Sequence, residues 1–205
     1  MNNYTMDLYE LKREIANFSQ KISKGLNKST TKFIMDMQYG IAKSNTCLIS
    51  GIARELDEKT KLNYTIERLC DNLLKLNEEE LKVISYNYIN EVSNLFANEP
   101  IAIFDDSDIS KRYGKKFEDL DKVLDASSVK KEIVPGYHVC EAVVLTKNEK
   151  QPISLYSKIY SCTSNGFISM NKYTNDSIDI VRKVLKRKCN MIFDRGYDDN
   201  KIIDY

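Results

Sequence analysis

The chain has 205 residues and a mass of 23.7 kDa, enough for one large domain or two small ones. Its 42% hydrophobic and 10% aromatic content excludes a disordered polymer, and 31 basic against 30 acidic residues exclude an argument for nucleic acid or membrane from bulk charge. No run approaches the roughly 20 apolar residues that span a bilayer, and the N-terminus MNNYTMDLYELKRE lacks a signal-peptide pattern, so a cytoplasmic protein is expected.

The first hundred residues read as helices. Leu8, Leu11, Ile15 and Phe18 recur at spacings of three and four and form one apolar face. A second helix, capped by Ser29 or Thr30, carries Phe33, Ile34, Met37 and Ile41. CLISGIARELDE and YTIERLCDNLLK, joined by KTKLN, read as two short helices with Ile52, Leu56, Ile66, Leu69 and Leu73 inward. That pair is a weak helix-turn-helix signal, and it specifies helix packing as readily as a groove-reading surface. Asn77 caps a further helix whose acidic first turn, EEE, suits the positive end of the helix dipole.

Pro100 ends the helical pattern and sets a boundary near residue 99, giving a helical region 1–99 and an α/β region 100–205. Ile101 to Phe104 is a short apolar strand running into Asp105-Asp106-Ser107-Asp108. After a basic stretch with Lys111, Lys115 and Lys116, YHVCEAVVLT and QPISLYSKIYS read as two strands of a meander. A helix follows over about 174–188, with Ile178, Val181 and Leu185 buried, and MIF is a last short strand ending in Asp194. The order is strand, strand, strand, helix, strand, an α/β mixed sheet.

Asp105 and Asp194 each close an apolar strand. If those strands are neighbours, both carboxylates emerge at one edge, where a hard divalent cation relieves their repulsion and supports in-line phosphoryl transfer. Alternation sends Asp105 and Asp106 to opposite faces, so either can be the first carboxylate, and all three can equally be turn aspartates. The five cysteines are irregularly spaced and read as reduced thiols. His138, the only histidine, sits two residues before Cys140, with no second ligand pair to make a zinc site. Thirteen tyrosines invite a tyrosine recombinase, but that chemistry needs an arginine and histidine cluster which this sequence lacks.

The run IAIFDDSDISKRYGKKFEDLDKVLDASS, then GYHVCEAVVL, QPISLYSKIYS and MIFDRGYDDNKI, resembles transposases of the DDE superfamily, insertion-sequence type. The most specific pieces are Asp105-Asp106-Ser107 and the DRGYD beginning at Asp194. The resemblance implies an RNase H-like domain that cuts and rejoins DNA at mobile-element ends. It implies Mg²⁺ or Mn²⁺ on Asp105 (or Asp106) and Asp194, and DNA contacts from Lys111, Lys115, Lys116 and Arg195. It also implies DNA binding by the helical region, for which Lys21, Lys24, Lys28 and Lys32 are candidates, and a homodimer, with neither a membrane nor a small-molecule substrate. The family's third acidic residue is a glutamate on a helix beyond the DRG strand. No glutamate follows Asp194 here, so a truncated, inactive catalytic domain with uncovered apolar surface is expected. The alternative function is a non-catalytic DNA-binding remnant or regulator of a full-length transposase.

Overall fold

A computed structural model describes residues 3–125, 131–148, 151–194 and 197, with side chains from residue 9 onward. The chain divides into two compact units, Met1–Glu91 and Val92–Tyr205, eight residues before the boundary that Pro100 suggests.

The first unit is helical: α1 (Asn3–Ile22), α2 (Lys28–Ser44), α3 (Ile49–Leu56), α4 (Leu62–Lys75) and α5 (Glu78–Val92), whose last residue begins the second unit. Asn27, rather than Ser29 or Thr30, caps α2: its Oδ1 accepts the Thr30 amide at 2.9 Å, because Ser29 and Thr30 already lie inside the first turn. At α5, Asn77 Oδ1 accepts from the Glu80 amide at 3.0 Å while Glu80 reaches back to the Asn77 amide, a reciprocal cap. Ile22, Phe33, Ile34, Ile52, Ala53 and Leu69 form the core, with Phe18, Met37, Leu56 and Ile66 around it. Leu73 points outward instead, 49% exposed, since α4 turns its face through Leu69 and Ile66. A Cβ on Gly40 would lie 2.4 Å from Ile52 Cγ2, so α2 and α3 approach as closely as only glycine allows. Asp36, nearly buried, is held by Arg68 at 2.9 Å and by Lys32, and Arg68 also grips Glu58. Glu58 stays below the usual carboxylate range: burial opposes ionisation, but Thr65, Arg68 and Lys32 outweigh it.

Among the described residues, the second unit holds a five-stranded mixed sheet and, after the last residue of α5, one further α-helix. Its strands are β1 (Ile101–Ser110), β2 (Asp121–Leu124), β3 (Ile133–Leu145), β4 (Pro152–Tyr160) and β5 (Asn190–Phe193), with α6 (Met170–Leu185) before β5. β3 is central to the meander: β1 pairs antiparallel along one edge, β2 and β4 share the other. β5 runs parallel to β1 on its free side, from Ile101↔Asn190 to Phe104↔Phe193. The expected first strand ended at Phe104. It continues through the aspartates to Ser110 because the long β3 offers it a ladder as far as Gly136, and pairing overrides the polar sequence. β2 carries no apolar run and escapes sequence reading. Helix α6 starts four residues earlier than expected, where Ser169 accepts the Lys172 amide at 3.2 Å.

The two faces of this sheet differ. Even-numbered residues of β1 and β3 (Ala102, Phe104, Cys140, Ala142, Val144) are fully buried, and α6 supplies Thr174, Ser177, Ile178, Val181 and Leu185 to the core. Phe104 and Phe193 stack there with centroids 4.6 Å apart. Odd-numbered Ile101, Ile103, Val139 and Val143 are only half-buried, and on neighbouring strands Ile159 and Ile192 stand 57% and 49% exposed. One face is a finished core and the other is open.

Candidate functional site

The parallel pairing of β1 with β5 decides where the acidic residues stand. Its last rung joins Phe104 to Phe193, so Asp105 and Asp194 occupy the next position along two adjacent strands, and both are exposed. Two positions 89 residues apart in sequence are thereby neighbours. Neighbouring parallel strands lie about 4.8 Å apart, a spacing at which two carboxylates can share one cation.

Asp106 goes the other way, to the face that α6 covers, beside Cys140, with which it is paired across β1 and β3. Its Oδ1 is buried and makes no hydrogen bond of ordinary geometry among the described residues, and the same holds for the hydroxyls of Tyr160 and Tyr197. Burial raises the Asp106 carboxyl above the ordinary aspartate range, and the nearby Cys140 thiol and Tyr197 hydroxyl offset this only in part. Burial, with Asp106 beside it, pushes the Cys140 thiol up to about 12. Burial thus disfavours the charged form of both groups. The exposed Asp105 and Asp194 have oxygen donors for a hard cation within solvent reach, while the unsatisfied oxygen of Asp106 lies on the opposite face.

Past Ser110 the chain forms a basic loop. Lys111, Arg112, Lys115 and Lys116 line a cleft of about 670 Å³ together with Tyr113 and Phe117, and those two rings are 93% and 57% exposed. Arg112 is committed to Asp125 and Glu132. The three lysines are exposed, and lysines interleaved with open rings can meet a phosphate backbone and stack on bases. This loop begins about 17 Å along β1 from Asp105, five strand residues away. Arg195 lies outside the described residues.

In the helical unit, Lys21 pairs with Glu91 at 2.8 Å, and Lys32 with Asp36 and Glu58, so their charge is already answered. Lys24 and Lys28 are exposed. Helices α3 and α4 pack on α2 through Ile52, Ala53 and Leu69.

One constellation was not legible in the sequence. Asp108 on β1 lies opposite His138 on β3, and the His138 Nδ1 is 2.7 Å from Asp108 Oδ1. On the other side of the ring, Nε2 is 3.6 Å from Asp121 Oδ2, and Cys162 follows β4 close by. His138 finds these partners, not Cys140, because residues two apart on a strand share a face but reach across to different partners. All five cysteines are free thiols.

No family model matches the chain, and no curated protein does so either. No helix among the described residues is long and apolar enough to cross a membrane.

Proposed function

We propose that this chain is the DNA-handling part of a DDE-type transposase with an RNase H-like catalytic sheet, acting by two-metal phosphoryl transfer on mobile-element DNA. The observation that carries the reading is the rung after Phe104↔Phe193, where Asp105 and Asp194 follow on adjacent parallel strands. The antiparallel meander β1, β3, β4, followed by a helix and a strand that returns parallel to β1, agrees with the strand order such a domain needs.

In this reading Asp105 and Asp194 hold the cation, and the orphaned Oδ1 of Asp106 gives that residue its own claim to the first position. Mg²⁺ or Mn²⁺, when bound, supplies activation of the attacking oxygen and stabilisation of the leaving one. The carboxylates fix where the scissile phosphate must sit, while Lys111, Lys115 and Lys116 hold the backbone away from the chemistry and set its register without reading sequence. In this reading the chain binds DNA ends and metal, and a second copy brings two ends together.

The test is Mn²⁺ affinity by calorimetry on residues 1–205. Asp194→Asn is expected to weaken binding at least tenfold, as is Asp105→Asn or Asp106→Asn, whichever is the first ligand. Equal affinity in all three variants would remove the metal site and the function with it.

A further inference from the structure

We propose that Asp121, His138 and Cys162 form a second metal site, selective for a borderline-soft ion of the zinc type, with Asp108 as the residue that positions the histidine. This site is separate from the Asp105 and Asp194 pair. Asp108 and His138 lie on the face of the sheet opposite Asp105, so either site can fail without the other.

The placement comes from strand pairing. His138 in β3 faces Asp108 in β1 and Tyr160 in β4, while Asp121 opens β2 opposite Gly136, two residues back along the same face of β3. Cys162 sits in the turn after β4, and that turn is pinned: the Cys162 amide donates to Asp121 Oδ2 at 2.7 Å, and Thr163 Oγ1 donates to the Asp119 carbonyl at 3.1 Å. The ligand atoms of the three residues lie within 4.8 Å of one another.

Their chemistry is complementary. A carboxylate can only accept, so Asp108 takes the proton on His138 Nδ1 at 2.7 Å and leaves the lone pair of Nε2 directed at Asp121 and Cys162. Metal-binding histidines are typically oriented by such a carboxylate. Tyr160 stacks on the imidazole with centroids 5.4 Å apart and fixes its plane, and Tyr173 backs Tyr160 at 4.2 Å. The Asp121 carboxylate is oriented by the amides of Lys122 and Cys162, both at 2.7 Å. The 3.6 Å between Asp121 Oδ2 and His138 Nε2 is close to the roughly 3.3 Å that two ligands about 2.0–2.2 Å from a tetrahedral ion would show. One nitrogen, one sulfur and one oxygen donor suit zinc or cobalt, and suit magnesium poorly. Three protein ligands leave a fourth position, on the side where Cys162 is exposed.

Binding converts the Cys162 thiol to a metal thiolate and passes its proton to the buffer, with no oxidant or reductant required. The bound ion would tie the short edge strand β2 to β3 and to the turn after β4. Without an ion, the same residues are a polar cluster in which His138 lies between the Asp108 and Asp121 carboxylates.

The experiment is titration of the full chain with Co²⁺, followed by displacement with Zn²⁺. The expected result is one equivalent of Co²⁺ giving a near-ultraviolet thiolate-to-cobalt charge-transfer band, lost in Cys162→Ser and in His138→Ala and kept in Cys47→Ser, which removes the exposed thiol of the helical unit. Asp108→Asn should keep the thiolate band but bind about 10–100-fold more weakly. Circular dichroism on each variant separates lost ligation from lost folding, and Cys162→Ser, at an exposed position, is the decisive variant. Absence of the band, or a band unchanged in Cys162→Ser, would overturn the site and leave the polar cluster.

Discussion

The two faces of one sheet divide the labour of the second unit. Under α6, alternate residues from Ala102 to Val144 are sealed, aromatic rings stack, and burial raises the Asp106 carboxyl and the Cys140 thiol above their ordinary ranges. On the other face Ile103 and Val143 are half-covered, Ile192 is half-exposed, and Asp105 is open to solvent. Consecutive residues, Asp105 and Asp106, therefore meet opposite environments for no reason except strand alternation. The lesson is that a doublet of aspartates is two different reagents once a sheet forms around it.

Truncating the sealed face should cost most. Phe104→Ala removes a fully buried ring and its stacked contact with Phe193, and about 3–5 kcal/mol of stability should be lost in denaturant unfolding. Ile192→Ser, one rung away on the open face, should change stability by only about 0.5 kcal/mol. Equal costs would mean that the open face is covered in solution. Gly136→Ala comes next, because its Cβ would lie 2.4 Å from both the Ile109 carbonyl oxygen and Val123 Cγ2, and a loss of about 1–3 kcal/mol is expected.

Asp106 sharpens the comparison through pH. Its folded pKa is raised, so the folded state holds the proton more tightly than the unfolded chain, whose carboxyl titrates near 3.8. Its contribution to stability is complete below that value and is lost as pH rises through the raised folded pKa. Asp106→Asn should remove this loss and raise stability at neutral pH by about 1 kcal/mol, the order of the penalty for an unsatisfied buried polar group. Urea midpoints for both proteins at acid and neutral pH check the sign, and a destabilised variant would show that the charge is satisfied. The smallest effect belongs to the basic loop. Alanine at Lys111, Lys115 and Lys116 should leave stability unchanged and lower the salt dependence of duplex DNA binding by about 1 in log–log slope per lysine, read by fluorescence anisotropy.

Much of the framework is visible in local pattern. The helical first unit follows from apolar spacing and from Asn77 with Glu80, and the buried face of α6 from Ile178, Val181 and Leu185. What escapes is whatever depends on pairing. The strand character of Asp105 to Ser110 is imposed by β3, and β2 forms its ladder with Ile133 to Gly136 of the same strand. The adjacency of Asp105 and Asp194 was expected from two apolar strands with acidic ends. The cluster of Asp108, Asp121, His138 and Cys162 was not, because its members come from four segments with no close spacing. It becomes visible once β1 is known to reach Ser110, which places Asp108 opposite His138.

The proposed divalent-cation site lies on the open face, at the rung after Phe104 and Phe193. Paramagnetic broadening of backbone amide NMR signals by substoichiometric Mn²⁺ tests it most directly, because it locates the ion without altering the protein. The amides of Phe104, Asp105, Phe193 and Asp194 should broaden first and together. Broadening spread evenly over the acidic surface, or centred on residues away from that rung, would contradict it.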